Sequence, residues 1–217
     1  VRLTSNDMLH KGDWITVKSV DANGIVEDMS LTTVKVRNFD NTIVTISPAT
    51  LVNGSFQNWI GMQKSGGRRA KRIVYFDFRS IRLVDETLKQ TLLAKHFATE
   101  DSFKLKESLQ KAIEKDIQEG KDIEDLKNPA ALAPTNLQLY RRFMEKYLRQ
   151  RPEVNTELTL MVRHMEATQC GLPIEFYFFI KDKVWVNYEH ILADIMEHAY
   201  ALANEFGLKI YEQYPEQ

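Results

Sequence analysis

Cysteine is almost absent from this chain, and that is the first constraint on it. Its 217 residues hold one, Cys170, so no internal disulfide can staple the fold, and a reducing compartment is the natural setting. A long apolar run is missing as well. A membrane helix needs roughly 18 to 20 apolar residues, whereas the most apolar stretch, Leu172 to Ile180, is short, carries Glu175 and reads as a strand. Net charge of either sign is lacking: the formal value is −1, which leaves no overall field to draw the chain onto nucleic acid or an anionic membrane. Phosphate-binding loops are missing too, since Gly66-Gly67 fits neither GxGxxG nor GxxxxGK(S/T) and precedes a strand. The chain opens on Val1 with no basic-then-apolar leader, and it reads as a soluble fragment or mature piece of something longer.

What is present is ordinary globular material, 43% apolar and 27% charged, enough for one large domain or two small ones. Residues 1 to about 60 read as five short strands. Asp13 to Val20 alternates through Ile15 and Val17, and Asn23-Gly24 supplies a tight-turn dipeptide before Ile25-Val26. Thr33 to Asn38 alternates Val34 and Val36 with Lys35 and Arg37; Asp40-Asn41 turns the chain into the β-branched run Thr42 to Ile46. This pattern predicts a small β-barrel or strongly bent sheet. Residues 61 to 72 pair Gly66-Gly67 with Lys64, Arg68, Arg69, Lys71 and Arg72, the signature of a solvated linker. The domain boundary falls here, giving domains 1–66 and 67–217.

The second half changes period. A strand is expected over Arg72 to Phe78, with Val74, Phe76 and Phe78 on one face. Asp85 caps a helix carrying Leu88, Leu92 and Leu93, and Ser102 to Glu119 is amphipathic, with Leu105, Leu109, Ile113 and Ile117 on one stripe. After the loop Asn128 to Pro134, Thr135 caps a helix through Leu148. Strands follow at Glu157 to Val162 and from Gly171, where Ile174, Phe176, Phe178 and Ile180 share a face. A helix over Tyr188 to Phe206 ends at Gly207, and Leu208 to Tyr211 closes the order as a last strand. This is a split β-α-β order, so the fold class is α+β, with a ferredoxin-like sandwich after the barrel.

Chemistry-bearing residues are sparse. Cys170 lies at a turn with His164 upstream, and no nucleophile motif surrounds it. His190, Asp194 and His198 fall at i, i+4 and i+8 on one helix face, a spacing that can hold zinc, but HExxH is absent and the stripe lies off the apolar face. The basic run at 64–72 is a candidate phosphate-backbone contact and more simply a solvated linker. Trp14 and Trp59 lie near turns, where packing at the end of a small barrel accounts for them; Tyr177 and Phe179 point away from their strand's core face and mark a candidate subunit contact. The residues alone thus assign no catalytic, cofactor-binding or metal-binding residue.

Gly12-Asp13-Trp14-Ile15, the segment Gly24-Ile25-Val26-Glu27-Asp28-Met29-Ser30-Leu31-Thr32-Thr33, and Thr42 through Asn58-Trp59 go further. In order and spacing they resemble the middle β-domain of the small-conductance (MscS-like) mechanosensitive channel family, with Pro48-Ala49-Thr50 where that family usually has Pro-Asn-(Gly/Ser). Thr135–Leu148, Thr159–Arg163, Trp185-Val186-Asn187-Tyr188-Glu189 and an extra helical insertion at about 98–134 resemble its miniconductance subgroup. The resemblance implies a homo-oligomer, a heptamer, with the β-domains ringed under the inner membrane and the α+β domains forming a cytoplasmic vestibule. Pore-forming transmembrane helices would precede Val1, and ions and small osmolytes would pass when tension opens them during osmotic stress. It implies no enzyme activity, no cofactor and no nucleic-acid partner. The alternative is an Sm-like ring module that binds RNA through the basic run.

Overall fold

The computed structural model describes residues 7–105, 107–121 and 133–213. The chain divides into two compact units, Val1–Gly67 and Arg68–Gln217.

The first unit is built from strands β1 (Trp14–Val17), β2 (Ala22–Met29), β3 (Val34–Asn38), β4 (Ile43–Ile46) and β5 (Gln57–Asn58). They form one antiparallel sheet in the order β4-β3-β2-β1-β5. Period-two alternation sends Ile15, Val17, Val26, Val34 and Val36 to one face, where Leu9, Ile46 and Leu51 complete a small aliphatic core. The expected closure is not seen: β4 and β5 stand at opposite ends of the ladder, so among the described residues the sheet is open. Short helices α1 (Pro48–Asn53) and α2 (Ile60–Lys64) follow β4 and β5.

Asn23-Gly24 is not the first turn. The reversal occurs earlier, in a 3₁₀ turn over Lys18–Val20 that ends on Asp21 at φ 52°, and both Asn23 and Gly24 sit inside β2. Gly24 is there because β3 passes so close: a Cβ on it would lie 1.9 Å from the Arg37 carbonyl oxygen. The second expected turn does form. Asn41 takes φ 68°, and Asp40 Oδ1 accepts from the Thr42 N–H and hydroxyl at 3.0 and 2.6 Å. The Thr42 hydroxyl, more than any other neighbour, holds the Asp40 carboxyl below its ordinary range.

The second unit carries β6 (Arg68–Phe76), α3 (Glu86–Ala94), α4 (Glu107–Gln118), α5 (Asn136–Gln150), β7 (Met161–His164), β8 (Leu172–Ile180) and α6 (Trp185–Ala203). Its antiparallel sheet runs β6-β8-β7. The expected last strand is reduced to one bridge, Ile210 to Phe76, flanked by backbone hydrogen bonds from Asp77 to Lys209 and from Tyr211 to Tyr75. That places the segment beside β6 and completes a ferredoxin-like order. Asp85 and Thr135 cap α3 and α5 as expected, accepting from Leu88 and Gln138 at 2.8 and 3.0 Å.

One face of the sheet meets α3, α5 and α6 in a core of buried side chains. Val74, Phe76, Ile174, Phe176, Phe178 and Ile180 face Leu92, Tyr140, Met144, Leu148, Ile195 and Ala199. Aromatic edges knit it: Tyr140 meets Phe76 at 5.3 Å and Phe206 at 5.6 Å, both edge-on. Asn136, fully buried, donates to the Ser80 and Phe206 carbonyls and accepts from the Arg82 and Leu137 N–H groups, so one amide joins separate segments with its polar atoms satisfied.

Several expected boundaries move. The strand expected at Arg72 to Phe78 starts at Arg68 and ends at Phe76, because Asp77 caps a 3₁₀ turn that leaves Phe78 exposed. The single helix expected over Ser102 to Glu119 becomes a capped 3₁₀ turn at Glu100–Phe103 followed by α4, whose described side chains include none that is buried. Lys111 pairs with Glu107 one turn away, the local support such a helix has. Residues 128–132 of the expected loop lie outside the described residues. The helix expected at Tyr188 to Phe206 starts a turn earlier, and its last turn, Asn204–Phe206, is 3₁₀ and stops on Gly207 at φ 69°.

Candidate functional site

In the first unit, the residues of the Gly-Asp-Trp and Asn-Trp segments meet as a clasp between β1 and β5. The Trp14 and Trp59 rings stack at 4.5 Å and 13°, and Phe39 meets Trp14 edge-on at 5.4 Å. Each indole N–H is used, Trp14 donating to Asn23 Oδ1 at 2.8 Å and Trp59 to Thr16 Oγ1 at 3.0 Å. Below them Asp13, largely buried, accepts from Asn58 Nδ2 at 2.9 Å and from the His10 backbone at 2.9 Å. Packing at the end of the sheet thus accounts for the two tryptophans, and Asp13 and Asn58 join them to it. At the β2–β3 hairpin, Ser30 Oγ accepts from the Thr32 and Thr33 N–H groups and leaves Leu31 exposed at the tip. The Ser47-Pro48-Ala49-Thr50 turn is the start of α1: Ser47 Oγ accepts from Thr50 N–H, and Pro48 takes the first helical position.

The basic run is not a solvated linker. Arg68, Arg69, Lys71 and Arg72 are residues of β6, paired against Ile180, Phe179, Tyr177 and Phe176 of β8. Arg68 lies 4.6 Å over the Tyr188 ring and Arg69 5.9 Å from that of Tyr177. Burial pushes the Tyr188 phenol up, its hydroxyl donating to the Arg69 carbonyl at 2.6 Å. Lys71 Nζ lies 3.8 Å from Glu175, a carboxylate 1% exposed that takes its one strong bond, 2.7 Å, from Arg163 Nε. The chain places these cations in a mosaic with aromatic rings and one carboxylate, not in a continuous basic track.

The other candidates do not converge. His190, Asp194 and His198 lie exposed along α6, and the described residues contain no group of three or more such side chains able to hold a metal. His198 Nδ1 instead meets the Asp194 backbone carbonyl at 2.7 Å, its ring stacked 5.8 Å from Tyr147. Cys170 is exposed in a tight turn where its backbone N–H donates to Thr168 Oγ1, while His164 sits on β7 opposite Ile174. A concavity of about 760 Å³ is walled by Asp77, Arg79, Arg82, Lys209 and Glu212. Its arginines are already bridged, Arg79 to Asp77 at 2.7 Å and Arg82 to Asp85 at 2.8 Å, so it presents mixed charge and no single ligand chemistry.

Two features escaped the sequence reading. Asn136 looked like one more residue at a helix start, and nothing in one chain's pattern marks its buried amide. Glu175 was visible as the lone charge in an apolar strand, a signal that a buried carboxylate with a cross-strand cation was to be expected.

A small β-sheet unit, open among the described residues, followed by a ferredoxin-like α+β unit is the class the geometry defines. Residues 1–61 match the family model for the β-domain of mechanosensitive ion channels. The fold as a whole is similar to solved channels: the cryo-EM structure of Arabidopsis thaliana MSL1 aligns at TM-score 0.60 and 10% identity over 98% of this chain and 56% of that one. The crystal structure of Helicobacter pylori MscS in its closed state aligns at TM-score 0.55 and 12% identity over 99% and 60%. The chain therefore spans less than two thirds of the length of these structures. Residues 1–61 are thus matched as a mechanosensitive-channel β-domain, and the chain shares its fold with these channel structures.

Proposed function

We propose that this chain is the extramembrane vestibule region of a tension-gated channel of the miniconductance subgroup. In the full-length protein, pore helices preceding Val1 cross the inner membrane, and this region assembles with identical copies on its cytoplasmic side, as a heptamer. Ions and small osmolytes pass through it when tension opens the pore. The observation that carries the reading is the β-domain match over residues 1–61, because the residues it spans are those that build the Trp14–Trp59 clasp and the Ser30 hairpin. Among the described residues no helix is long and apolar enough to cross a membrane, so the conducting path needs segments other than these. The role left to this chain is mechanical and electrostatic: to hold the pore helices in register and to bias which ions approach them. This reading assigns it no catalytic step, cofactor or metal. The RNA-binding reading gains little from the basic run, of which Arg68, Arg69 and Lys71 lie against rings and a carboxylate of the second unit.

The test is patch recording from membranes that hold the full-length protein. Tension-activated currents are expected, and silence up to lytic tension overturns the channel reading. Light scattering on the same protein in detergent is expected to give the mass of seven copies; a stable monomer or dimer overturns the assembly.

A further inference from the structure

The sheet of the second unit ends on β6, and most of that edge carries no neighbouring strand among the described residues. In an antiparallel pair only alternate residues bond their partner, so every second peptide group of β6 faces away from β8. Two contacts fix which ones these are. Asp77 N–H donates to the Lys209 carbonyl at 2.9 Å, and Tyr211 N–H to the Tyr75 carbonyl at 2.8 Å. By alternation, Ile73, Lys71 and Arg69 face the same way. The Arg69 carbonyl takes the Tyr188 hydroxyl, and the Lys71 carbonyl takes the Arg72 guanidinium at 3.1 Å. Among the described residues, the N–H groups of Lys71, Ile73 and Tyr75 and the Ile73 carbonyl have no such partner.

The segment Lys209–Tyr211 shows what this edge accepts. It lies against Phe76 as an added piece of extended backbone, and its pairing ends at Tyr75. From there to Lys71 the edge has room for about five residues of another strand, roughly 17 Å. A groove of about 290 Å³ runs beside that stretch, between Arg72 and Ile73 on one side and Leu192, Ala193, Met196 and Tyr200 of α6 on the other. Side chains of an added strand would alternate between this apolar groove and the outer face, where Lys71 and Tyr75 stand.

Charge selects the occupant. Lys71 is half exposed, and the acid nearest it, Glu175, lies 3.8 Å away and is shared with Arg163. Arg72 has no carboxylate partner among the described residues, and the groove's own acid, Glu189, already accepts from the Trp185 indole at 3.1 Å. A second copy would bring the same cationic edge, and like charges across a strand pair are destabilising. The edge therefore disfavours itself and admits an acidic strand.

We infer that the β6 edge between Lys71 and Tyr75 binds an extended segment of another protein by strand addition. Acidic residues of that segment lie beside Lys71 and Arg72, and an apolar one enters the groove along α6. The site lies wholly within the second unit and goes beyond the channel reading, on which it does not depend.

The full chain is titrated into a fluorescein-labelled peptide of eight residues that alternates Glu and Val, and anisotropy is read. Saturable binding is expected, with the Lys–Val counterpart at least about tenfold weaker. N-methylation of alternate amides, in the two possible phases, is expected to block one phase and spare the other, as strand pairing demands. Ile73→Pro removes an N–H that takes no part in the β8 ladder, and it is expected to weaken binding about tenfold or more. Arg72→Glu, at an exposed position, is expected to reverse the preference between the two peptides, and it keeps the test open where proline disturbs the strand. No binding up to about 1 mM, or binding indifferent to both N-methylation phases and to Arg72→Glu, overturns the inference. Binding that requires deletion of residues 214–217 gives the edge to the chain's own tail and overturns it. Self-association by light scattering that is lost in Ile73→Pro gives the edge to a second copy and likewise overturns it.

Discussion

The two units reach a folded state by different means. Among the described residues, the fully buried core of the first is aliphatic, with Phe56 only partly buried against it, and Trp14, Trp59 and Phe39 sit at the end and edge of the sheet. In the second, rings make up the interior: Phe76, Phe176, Phe178, Tyr140 and Phe206 are all fully buried. A unit of about 60 residues buries too little surface to rest on its core alone, so turns, the clasp and strand fit carry more of the first unit's stability. The larger unit rests on depth. Substitutions should separate the two modes.

The largest effect is expected from Tyr140→Ala, which empties the centre of the aromatic core and removes the hydroxyl that donates to the Ala199 carbonyl. A loss of about 4 kcal/mol is expected in urea unfolding; a loss under 1 kcal/mol would show that the interior is not where the second unit is held. Next comes Gly24→Ala in the first unit, with no core contact removed. Its methyl would meet the Arg37 carbonyl at 1.9 Å, so β2 and β3 must part, at a cost of about 2 kcal/mol. Hydrogen exchange at the Ile25 and Arg37 amides, which stand opposite each other across β2 and β3, reads it, and unchanged protection there would refute the strand-fit argument.

Tyr140→Phe isolates the polar part of the same core. Loss of the hydrogen bond to the Ala199 carbonyl costs about 1 kcal/mol near neutral pH. Burial pushes the Tyr140 phenol well above its ordinary range, so in the fold it stays protonated while the unfolded chain ionises near 10. Above that pH the unfolded state binds fewer protons and the native protein loses stability as pH rises. The phenylalanine variant has no such group, so the gap between the two narrows above about pH 10. A gap that stays constant to pH 11 would mean that the phenol ionises in place.

How much of this was legible in the sequence follows the range of the interactions. Strand β8 was readable to the residue, because Leu172 to Ile180 is bounded by Gly171 and alternates through large apolar side chains. The caps at Asp85 and Thr135 were readable because a cap acts within three residues. The Asn23-Gly24 misreading has a physical cause: the dipeptide suits a turn, but Asp21 had already taken the left-handed residue, and the glycine answers to a neighbouring strand. The basic run reads as linker by composition and becomes strand because β8 supplies a partner a hundred residues later. Asn136 joins segments 54 and 70 residues away, and no local pattern encodes that. At the candidate site, Gly12 to Ile15 and Asn58-Trp59 stood out as segments, but which atoms they join came only from the fold.

The smallest effect tests whether the clasp of the first unit is a true coupling or two side chains that share a surface. Trp14→Leu and Trp59→Leu each remove one ring and one indole hydrogen bond, to Asn23 and Thr16 respectively. Each single change therefore mixes lost area, lost hydrogen bond and lost stacking. The double-mutant cycle cancels the first two and leaves the ring–ring term. Stacking at 4.5 Å and 13° with both indole N–H groups separately satisfied predicts a coupling of about 1 kcal/mol. A coupling within error of zero would mean the rings merely abut, and the first unit would then rest on its turns and strand fit alone. A coupling above about 2 kcal/mol would exceed what two stacked rings supply. It would place the end of the sheet, and not the aliphatic interior, as the centre of that unit's stability.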